Sequence, residues 1–312
     1  MSQPLRINAL PPSLSAMVPS RYRLQLLLFI GTFAGGWAAI FGRIAQHEGI
    51  STPVIITFRL ILGALIVTPF VIRNYRSSLR QLNKSDLVMM IVAGFLLSMH
   101  LLAGFAALEH TSVLISNVIG STLTIWVALM EVYLLGVQLG RFVWIALGVT
   151  LIGGLIIALT GNNQSLGDNP SLGNLLALMA ALAGAAYAIS GRQSRSKIPF
   201  LVYVWLLFGF GGIFSLVVVA ITHGSFVGHT ANGYLAIIML TLSAQLVGHS
   251  IYNYVLRRLP ATLVSVSSQI GTVISAVLAF LLLKEIPGAW QLLGSAIIIG
   301  GITLVNFKKN AA

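Results

Sequence analysis

The sequence predicts an all-α integral membrane protein of ten transmembrane helices, arranged as two inverted five-helix repeats. An apolar composition, ten long apolar segments and an internal repeat predict this fold. Of the 312 residues, 57% are hydrophobic and only 8% are charged, whereas about 25% of residues are charged in a soluble domain. So few charges cannot cover a soluble surface. The composition therefore excludes a soluble enzyme and a nucleic-acid-binding module, and nucleic acid is not an expected partner.

Ten segments of the chain have the length that a membrane-spanning helix needs, which is about 20 mainly apolar residues. They are continuously apolar rather than alternating, which favours helices over the strands of a membrane β-barrel. Ten such segments in series leave no soluble face, so they cannot all be core helices of a soluble protein. The predicted spans are Leu24–Ile44, Thr52–Ile72, Leu87–Leu108, Ser112–Gly136, Phe142–Gly161, Leu172–Ser190, Phe200–Thr222, Gly233–Leu256, Ala261–Leu283 and Pro287–Phe307.

These spans divide the chain into a tail and two halves. Residues 1–23 form a polar N-terminal tail, residues 24–161 the first five-helix unit and residues 172–307 the second. The connection between the halves, Asn162–Ser171, is rich in turn-forming residues. The first apolar run is too long for the core of a signal peptide, so we interpret it as a retained helix.

The basic residues predict the orientation, because short cytoplasmic loops carry an excess of Lys and Arg. A cytoplasmic N-terminus places fifteen of the 18 basic residues on the cytoplasmic side. We therefore expect a multi-pass protein of the inner (cell) membrane with both termini in the cytoplasm. The net charge of +12 then reflects topology and attraction to anionic lipid of the bilayer. The fifteen residues are Arg6, Arg21, Arg23, Arg73, Arg76, Arg80, Lys84, Arg141, Arg192, Arg195, Lys197, Arg257, Arg258, Lys308 and Lys309.

Three windows of the first half recur in order in the second half. Ala34–Arg43 (AGGWAAIFGR) matches Ala183–Arg192 (AGAAYAISGR) at six of ten positions. Two further windows, one of which pairs Pro53 with Pro199, share an offset of 146 residues. Because a unit of five helices is odd, the second copy enters the membrane from the opposite side. Inverted repeats of this kind are typical of secondary transporters.

With these features the chain resembles the drug/metabolite transporter superfamily, EamA type, over about residues 24–307. The resemblance implies ten helices as five plus five and transport of small metabolites. One departure is Leu139, which stands where the repeat offset from Glu285 places an acidic residue common in the family. A second is the absence of the prolines often seen in the fourth and ninth helices. The matching residues are Gly36, Trp37, Pro53, Arg59, Ala107–Leu108, Tyr252–Leu256, Lys284 and Glu285.

Ionisable residues inside a membrane are costly and therefore point to function. Arg59 lies roughly 12 Å deep by helical rise and is expected to clamp an anion or carboxylate through paired hydrogen bonds. His100 has a similar depth, and His249 lies nearer the inner end of its span. An imidazole titrates near neutral pH, so either histidine can bind substrate or relay a proton. For Arg59 the structural alternative is an arginine satisfied by backbone carbonyls at a helix break. For each histidine it is a neutral imidazole hydrogen-bonded to a neighbouring helix.

Other candidates add to a central substrate site or to proton coupling. Glu131 is the only carboxylate well inside a predicted span and, with His100, is a candidate for proton coupling; pairing with Arg141 is its structural alternative. The further substrate-binding candidates are Trp37, Asn117, Tyr187, Gln245, Asn253 and Gln269. A helix-packing seam is predicted at the repeated glycines Gly148, Gly154, Gly294 and Gly300.

No cofactor or metal site is expected, because the chain has no Cys, no GxxxxGKS/T phosphate loop and no cluster of His and carboxylate. We therefore expect a secondary transporter and not an enzyme. Small metabolites are the expected substrates, with amino acids or amphipathic compounds as candidates and export as the expected direction. The alternatives are an uncoupled exchanger or facilitator of the same fold, and a non-transport membrane enzyme or receptor-like subunit. Proton coupling and a homodimer are left open.

Overall fold

The computed structural model describes residues 21–160, 169–190, 198–283 and 288–308, which are mostly helical and include no strand. Among these residues, two apolar helices are shorter than the length that crosses a membrane, Arg141–Ile156 and Leu292–Gly301. Eight others are long and apolar enough to cross a membrane, which makes this a multi-pass membrane protein. They are Arg23–His47, Thr52–Asn74, Lys84–His110, Ile115–Leu135, Pro170–Ser190, Phe200–Ile221, Ala231–Leu256 and Ala261–Leu282.

The described residues form fifteen α-helices and one π-helix. In chain order they are α1 (Arg21–Gly36), α2 (Ala38–His47), α3 (Thr52–Asn74), α4 (Arg76–Arg80), α5 (Lys84–His110), α6 (Val113–Ser121), α7 (Leu123–Leu135), α8 (Arg141–Thr160), α9 (Pro170–Ser190), α10 (Phe200–Ile221), α11 (Ala231–Leu240), the π-helix (Thr241–His249), α12 (Ser250–Leu256), α13 (Ala261–Ser268), α14 (Ile270–Leu283) and α15 (Ala289–Lys308).

Several helices begin where the sequence supplies a capping residue. The side chains of Asn83 and Asp86 form a reciprocal capping box at the start of α5, which satisfies two otherwise unpaired backbone N–H groups. Ser112 caps α6 and Thr230 caps α11. Residues 1–20 of the predicted tail and most of the predicted connection between the halves lie outside the described residues.

The first predicted span is not one straight helix. The sequence predicts continuous helix over Leu24–Ile44, but the structure divides it at Trp37 into α1 and α2. Gly35 and Gly36 directly precede the break, and glycine is a poor helix former because it loses the most backbone entropy on ordering. The prediction of a single helix is therefore wrong at this point.

The fourth and ninth predicted spans also break near their middles. The break between α6 and α7 is at Thr122, whose backbone N–H donates to Ile119 at 3.0 Å. The break between α13 and α14 is at Gln269, whose N–H donates to Val266 at 3.2 Å. Both bonds reach back three residues instead of four, so each break is a turn of tighter helix.

Paired helices from the two halves build the interior. α3 packs against α10, α5 against α9 and α10, α8 against α15, and α1 against the π-helix. The largest apolar cluster lies among α3, α5 and α10, where Leu60, Leu97 and Phe208 have no exposed surface. The wall of any central space is therefore assembled from both halves of the chain.

The contact between α8 and α15 follows a glycine seam. A Cβ atom added at Gly153 would lie 2.7 Å from the carbonyl oxygen of Gly294, and one at Gly301 would lie 2.9 Å from Thr150 Cγ2. At Gly148 and Gly300 an added Cβ would meet nothing within 4 Å. The predicted seam is therefore wrong for Gly148 and Gly300, because the contact runs along an adjacent face of each helix.

Candidate functional site

A central cavity of about 330 Å³ lies among helices from both halves of the chain. Its wall is formed by α1, α2, α3, α5, α6 and α7 of the first half, and by α9, the π-helix, α12, α13 and α14 of the second. None of the described residues in this wall is acidic. Six of the predicted substrate-binding residues line it: Arg59, His100, Asn117, Tyr187, His249 and Gln269.

Arg59 projects from α3 into this wall with only 1% of its surface exposed. Its Nε donates to Gln245 Oε1 at 2.6 Å, and its Cζ lies 5.6 Å from the centre of the Phe105 ring. The Nη1 group is buried and has no hydrogen-bond partner. Gln245, a predicted substrate-binding residue, does not line the cavity. It instead positions the guanidinium through the bond to Nε. The backbone-satisfied alternative for Arg59 finds no support in these contacts.

Two imidazoles share the cavity with this cation. His100 Nδ1 lies 2.7 Å from the carbonyl oxygen of Ala180. A carbonyl can only accept, so Nδ1 carries the hydrogen and Nε2 is left for another contact. His249 Nδ1 is buried without a partner. Arg59, His100 and His249 therefore line the same cavity.

Tyr187 and Asn253 form a polar bridge between α9 and α12. The Tyr187 hydroxyl, at the cavity wall, donates to Asn253 Oδ1 at 2.6 Å. Asn253 is fully buried, and its Nδ2 donates to the carbonyl oxygen of His249 at 2.7 Å. The predicted residue Asn253 therefore lies behind the wall and connects Tyr187 to the backbone of His249.

Asn117 and Gln269 link the two broken spans across the cavity. Asn117 Nδ2 donates to Ser275 Oγ at 2.9 Å. Gln269 Nε2 donates to the carbonyl oxygen of Ser121 at 2.7 Å and to Thr124 Oγ1 at 2.6 Å. The two Gln269 bonds join the α13–α14 break directly to the α6–α7 break. The two halves of the chain therefore meet at the bends of both spans.

Trp37 lies outside the cavity wall. It occupies the break between α1 and α2, and its ring stacks on Phe41 with centroids 5.4 Å apart. The adjacent Gly36 does line the cavity. The predicted substrate-facing role of Trp37 is therefore not supported, because the indole stacks on Phe41 instead of lining the cavity.

Glu131 also lies outside the cavity and has no exposed surface. Its Oε1 accepts from the Ala261 backbone N–H at 2.9 Å, and its Oε2 accepts from the Thr262 N–H at 3.0 Å and from Thr262 Oγ1 at 2.7 Å. Pro260, the residue before α13, provides no side-chain cap. A carboxylate from α7 therefore caps α13, a position that the helix dipole favours for negative charge.

The sequence reasoning missed the hydroxyl groups of the wall. They belong to Thr32, Ser116, Ser121, Thr124, Ser265, Ser268 and Ser275. The spacing of Ser265, Ser268 and Ser275 within an apolar span was a usable signal, because steps of three and seven residues fall on one helix face.

Membrane-length helices around a cavity with buried polar side chains in its wall are typical of a membrane transporter, since transporters bind substrate between their repeats. The chain belongs to the EamA-like transporter family, whose model matches residues 23–159 and 171–307. The resemblance to the drug/metabolite transporters is thereby confirmed. It is a membrane transporter with two copies of the family unit.

Known relatives agree with this assignment. The chain is 22% identical over 290 residues to the uncharacterized transporter YdfC of Bacillus subtilis, covering 92% of each chain. It is 24% identical over 256 residues to the pseudopaline exporter CntI of Pseudomonas aeruginosa, covering 82% of this chain and 86% of the exporter. One crystal structure superposes with a TM-score of 0.73 at 18% identity, covering 92% and 98% of the two chains, which shows a shared fold.

Proposed function

We propose that the chain is a secondary transporter that moves small metabolites across the inner membrane by alternating access. In this proposal, ten spans form two inverted five-helix repeats, and the substrate binds in the central cavity. One observation carries it: the cavity is built from both halves of the chain and has the buried polar side chains Arg59, Tyr187 and Gln269 in its wall. Amino acids and amphipathic compounds are the proposed substrates. No chemical step on the substrate is part of this proposal.

The helix pairings support the inverted repeat. An inverted repeat relates α1 and α2 to α9, α3 to α10, α5 to the span of α11, the π-helix and α12, and α8 to α15. When each helix is exchanged for its counterpart, the α3–α10 contact and the α8–α15 contact are unchanged. The α5–α9 contact becomes the observed contact between the π-helix and α1. The breaks at Thr122 and Gln269 are 147 residues apart (269 − 122), close to the sequence offset of 146.

Two apolar clusters provide the seals that alternating access requires. With a cytoplasmic N-terminus, Leu28, Val127 and Val255 belong to an inner seal. Ile40 and Leu108 belong to a second cluster, which the same orientation assigns to an outer seal. Both clusters contribute residues to the cavity wall, Leu28 and Leu108, and we propose that substrate passes when one seal opens while the other stays closed.

Export and the orientation rest on further support. The basic residues favour cytoplasmic termini, and a relative of similar length is named as an exporter. A second candidate is an uncoupled exchanger or facilitator. The position of Glu131 favours it, because this carboxylate caps α13 and does not reach the cavity. His100 and His249 are then the titratable groups that proton coupling would use.

Flux measurements in proteoliposomes test the proposal. We expect saturable transport of at least one amino acid or amphipathic compound from a metabolite panel. Stimulation by an imposed pH gradient supports proton coupling, and equal flux with and without the gradient supports the uncoupled candidate. Absence of flux for every compound contradicts transport and favours a membrane enzyme or receptor-like subunit. Protein-free liposomes of the same lipid composition provide the baseline flux.

A further inference from the structure

We propose that Arg59 and His249 form a subsite that binds a carboxylate group of the transported compound, with Gln245 positioning the Arg59 guanidinium. This proposal rests on the transport function proposed above and names the substrate class. It predicts that compounds with a carboxylate are accepted and that purely cationic amphipathic compounds are not. The subsite lies on one side of the cavity, where α3 meets the π-helix.

The positive charge of Arg59 has no counter-ion among the described residues. An arginine guanidinium stays protonated in proteins, so the charge persists although 1% of the side chain is exposed. Four acidic residues are described, and each is engaged elsewhere. Glu48 accepts from Thr230, Asp86 caps α5, Glu109 accepts from Thr52, and Glu131 caps α13. The other two acidic residues of the chain, Asp168 and Glu285, lie outside the described residues.

Gln245 fixes the guanidinium so that a ligand can use the remaining donors. Arg59 Nε can only donate, so the Gln245 oxygen must face it, at 2.6 Å. This bond occupies Nε and leaves Arg59 Nη1 and Gln245 Nε2 without partners. Both atoms are donors, and both are buried. An unsatisfied buried donor is costly. Because Arg59 lines the cavity, this cost favours an acceptor for Nη1 supplied from there.

His249 adds a further group to the same place. It follows Gln245 by four residues in the π-helix and lines the cavity, with Nδ1 buried and unpartnered. Hydrogen bonds of a π-helix run from residue i to residue i+5 and widen the turn, and such segments often occur at functional sites. From this segment Gln245 bonds to Arg59, and His249 lines the same cavity as Arg59.

These donors match a carboxylate better than a neutral or cationic group. The planar guanidinium offers paired N–H groups that suit the two oxygens of a carboxylate. A neutral amide can satisfy one donor but cannot neutralise the charge. A cation would be repelled by Arg59, because no described residue in the wall is acidic. The remaining wall is mostly small and apolar, so it can hold the rest of a small metabolite.

Matched pairs of ligands test the carboxylate directly. Binding to the full-length protein in lipid nanodiscs would be measured for the standard amino acids and short fatty acids, each beside its own amide. We expect at least one acid to bind about 30-fold more tightly than its amide, as for a hydrogen bond to a charged group. Amides that bind as well as their acids would overturn the proposal, and so would a panel without acid binding. Equal stabilisation by chloride or sulfate alone would also overturn it.

Three substitutions test whether the preference for the acid depends on Arg59 and Gln245. Arg59→Gln should abolish the preference for the acid, whereas Arg59→Lys should retain a weakened preference because it keeps the charge without the planar fork. Gln245→Glu would place a carboxylate where Arg59 Nε already bonds. This variant is expected to melt at a higher temperature than wild type and to lose acid binding. Full acid binding by Arg59→Gln or by a folded Gln245→Glu variant would contradict the subsite.

Different results would contradict the transport proposal and the carboxylate subsite. If neutral compounds are transported and Arg59→Gln leaves their flux unchanged, transport stands and the carboxylate subsite falls. If acids bind with the expected preference but no compound crosses the membrane, the subsite stands and transport falls.

Discussion

Replacement of Glu131 by alanine is expected to destabilise the protein by about 3 kcal/mol and to reduce transport sharply. The substitution leaves the Ala261 and Thr262 N–H groups and the Thr262 hydroxyl without their acceptor. A buried donor without a partner costs about 1–3 kcal/mol. The bonds also join α7 to the start of α13, beside the inner seal. Loss of stability would be measured by thermal unfolding in detergent, and transport by flux in proteoliposomes.

Two comparison variants separate the charge from the cap. Glu131→Gln keeps one accepting oxygen but places an NH₂ group against donors, so its stability should lie between those of wild type and Glu131→Ala. Ser112→Ala removes the cap of α6, where the side chain accepts a single bond from Ile115 at 3.2 Å. That loss should cost only about 1 kcal/mol. A Glu131→Ala protein as stable as wild type would show that the cap contributes little.

Substitution of Gly184 by alanine is expected to lower transport by about tenfold with the fold retained. The new Cβ would lie 2.7 Å from His100 Nδ1 and 2.6 Å from Leu123 Cδ1. Both contacts are too close, so His100 must move and weaken its bond to the Ala180 carbonyl. Overpacking of this kind costs about 1–3 kcal/mol of stability. If about 1.4 kcal/mol of it opposes substrate binding, the affinity falls roughly tenfold. Substrate affinity and flux would be measured together.

Gly104→Ala is the matched control, because Gly104 also lines the cavity but its added Cβ would come no closer than 3.6 Å to another residue. This variant should transport nearly as well as wild type. Equal losses in the two variants would mean that cavity volume, rather than the position of His100, limits transport.

The sequence alone could predict eight membrane-length helices because each is a long apolar run, and a helix satisfies its own backbone hydrogen bonds in lipid. It could not predict the bends. Those at Thr122 and Gln269 depend on local backbone bonds that reach three residues back, and nothing in the apolar pattern marks them. The glycine seam was placed on the wrong face for Gly148 and Gly300, because sequence spacing defines a helix face only relative to its neighbour.

The candidate site was predictable in membership but not in arrangement. Arg59, His100 and His249 were predicted because ionisable residues are rare inside a membrane. All three line one cavity. The same rule also selected Glu131, which caps a helix instead. A buried carboxylate has the same sequence signature in both roles. The distinction depends on the tertiary contact with α13, which is 130 residues away in the chain.

Alternating access is tested most directly by the accessibility of one cavity position from both sides of the membrane. The chain contains no cysteine, so a single introduced thiol reports without background. Gly120 lines the cavity and has open space around its added Cβ, and Gly148→Cys, away from the cavity, is the control. A membrane-impermeant maleimide should modify Gly120→Cys when added to either side and leave Gly148→Cys unmodified. Modification from one side only, whatever substrate is present, would contradict alternating access through this cavity.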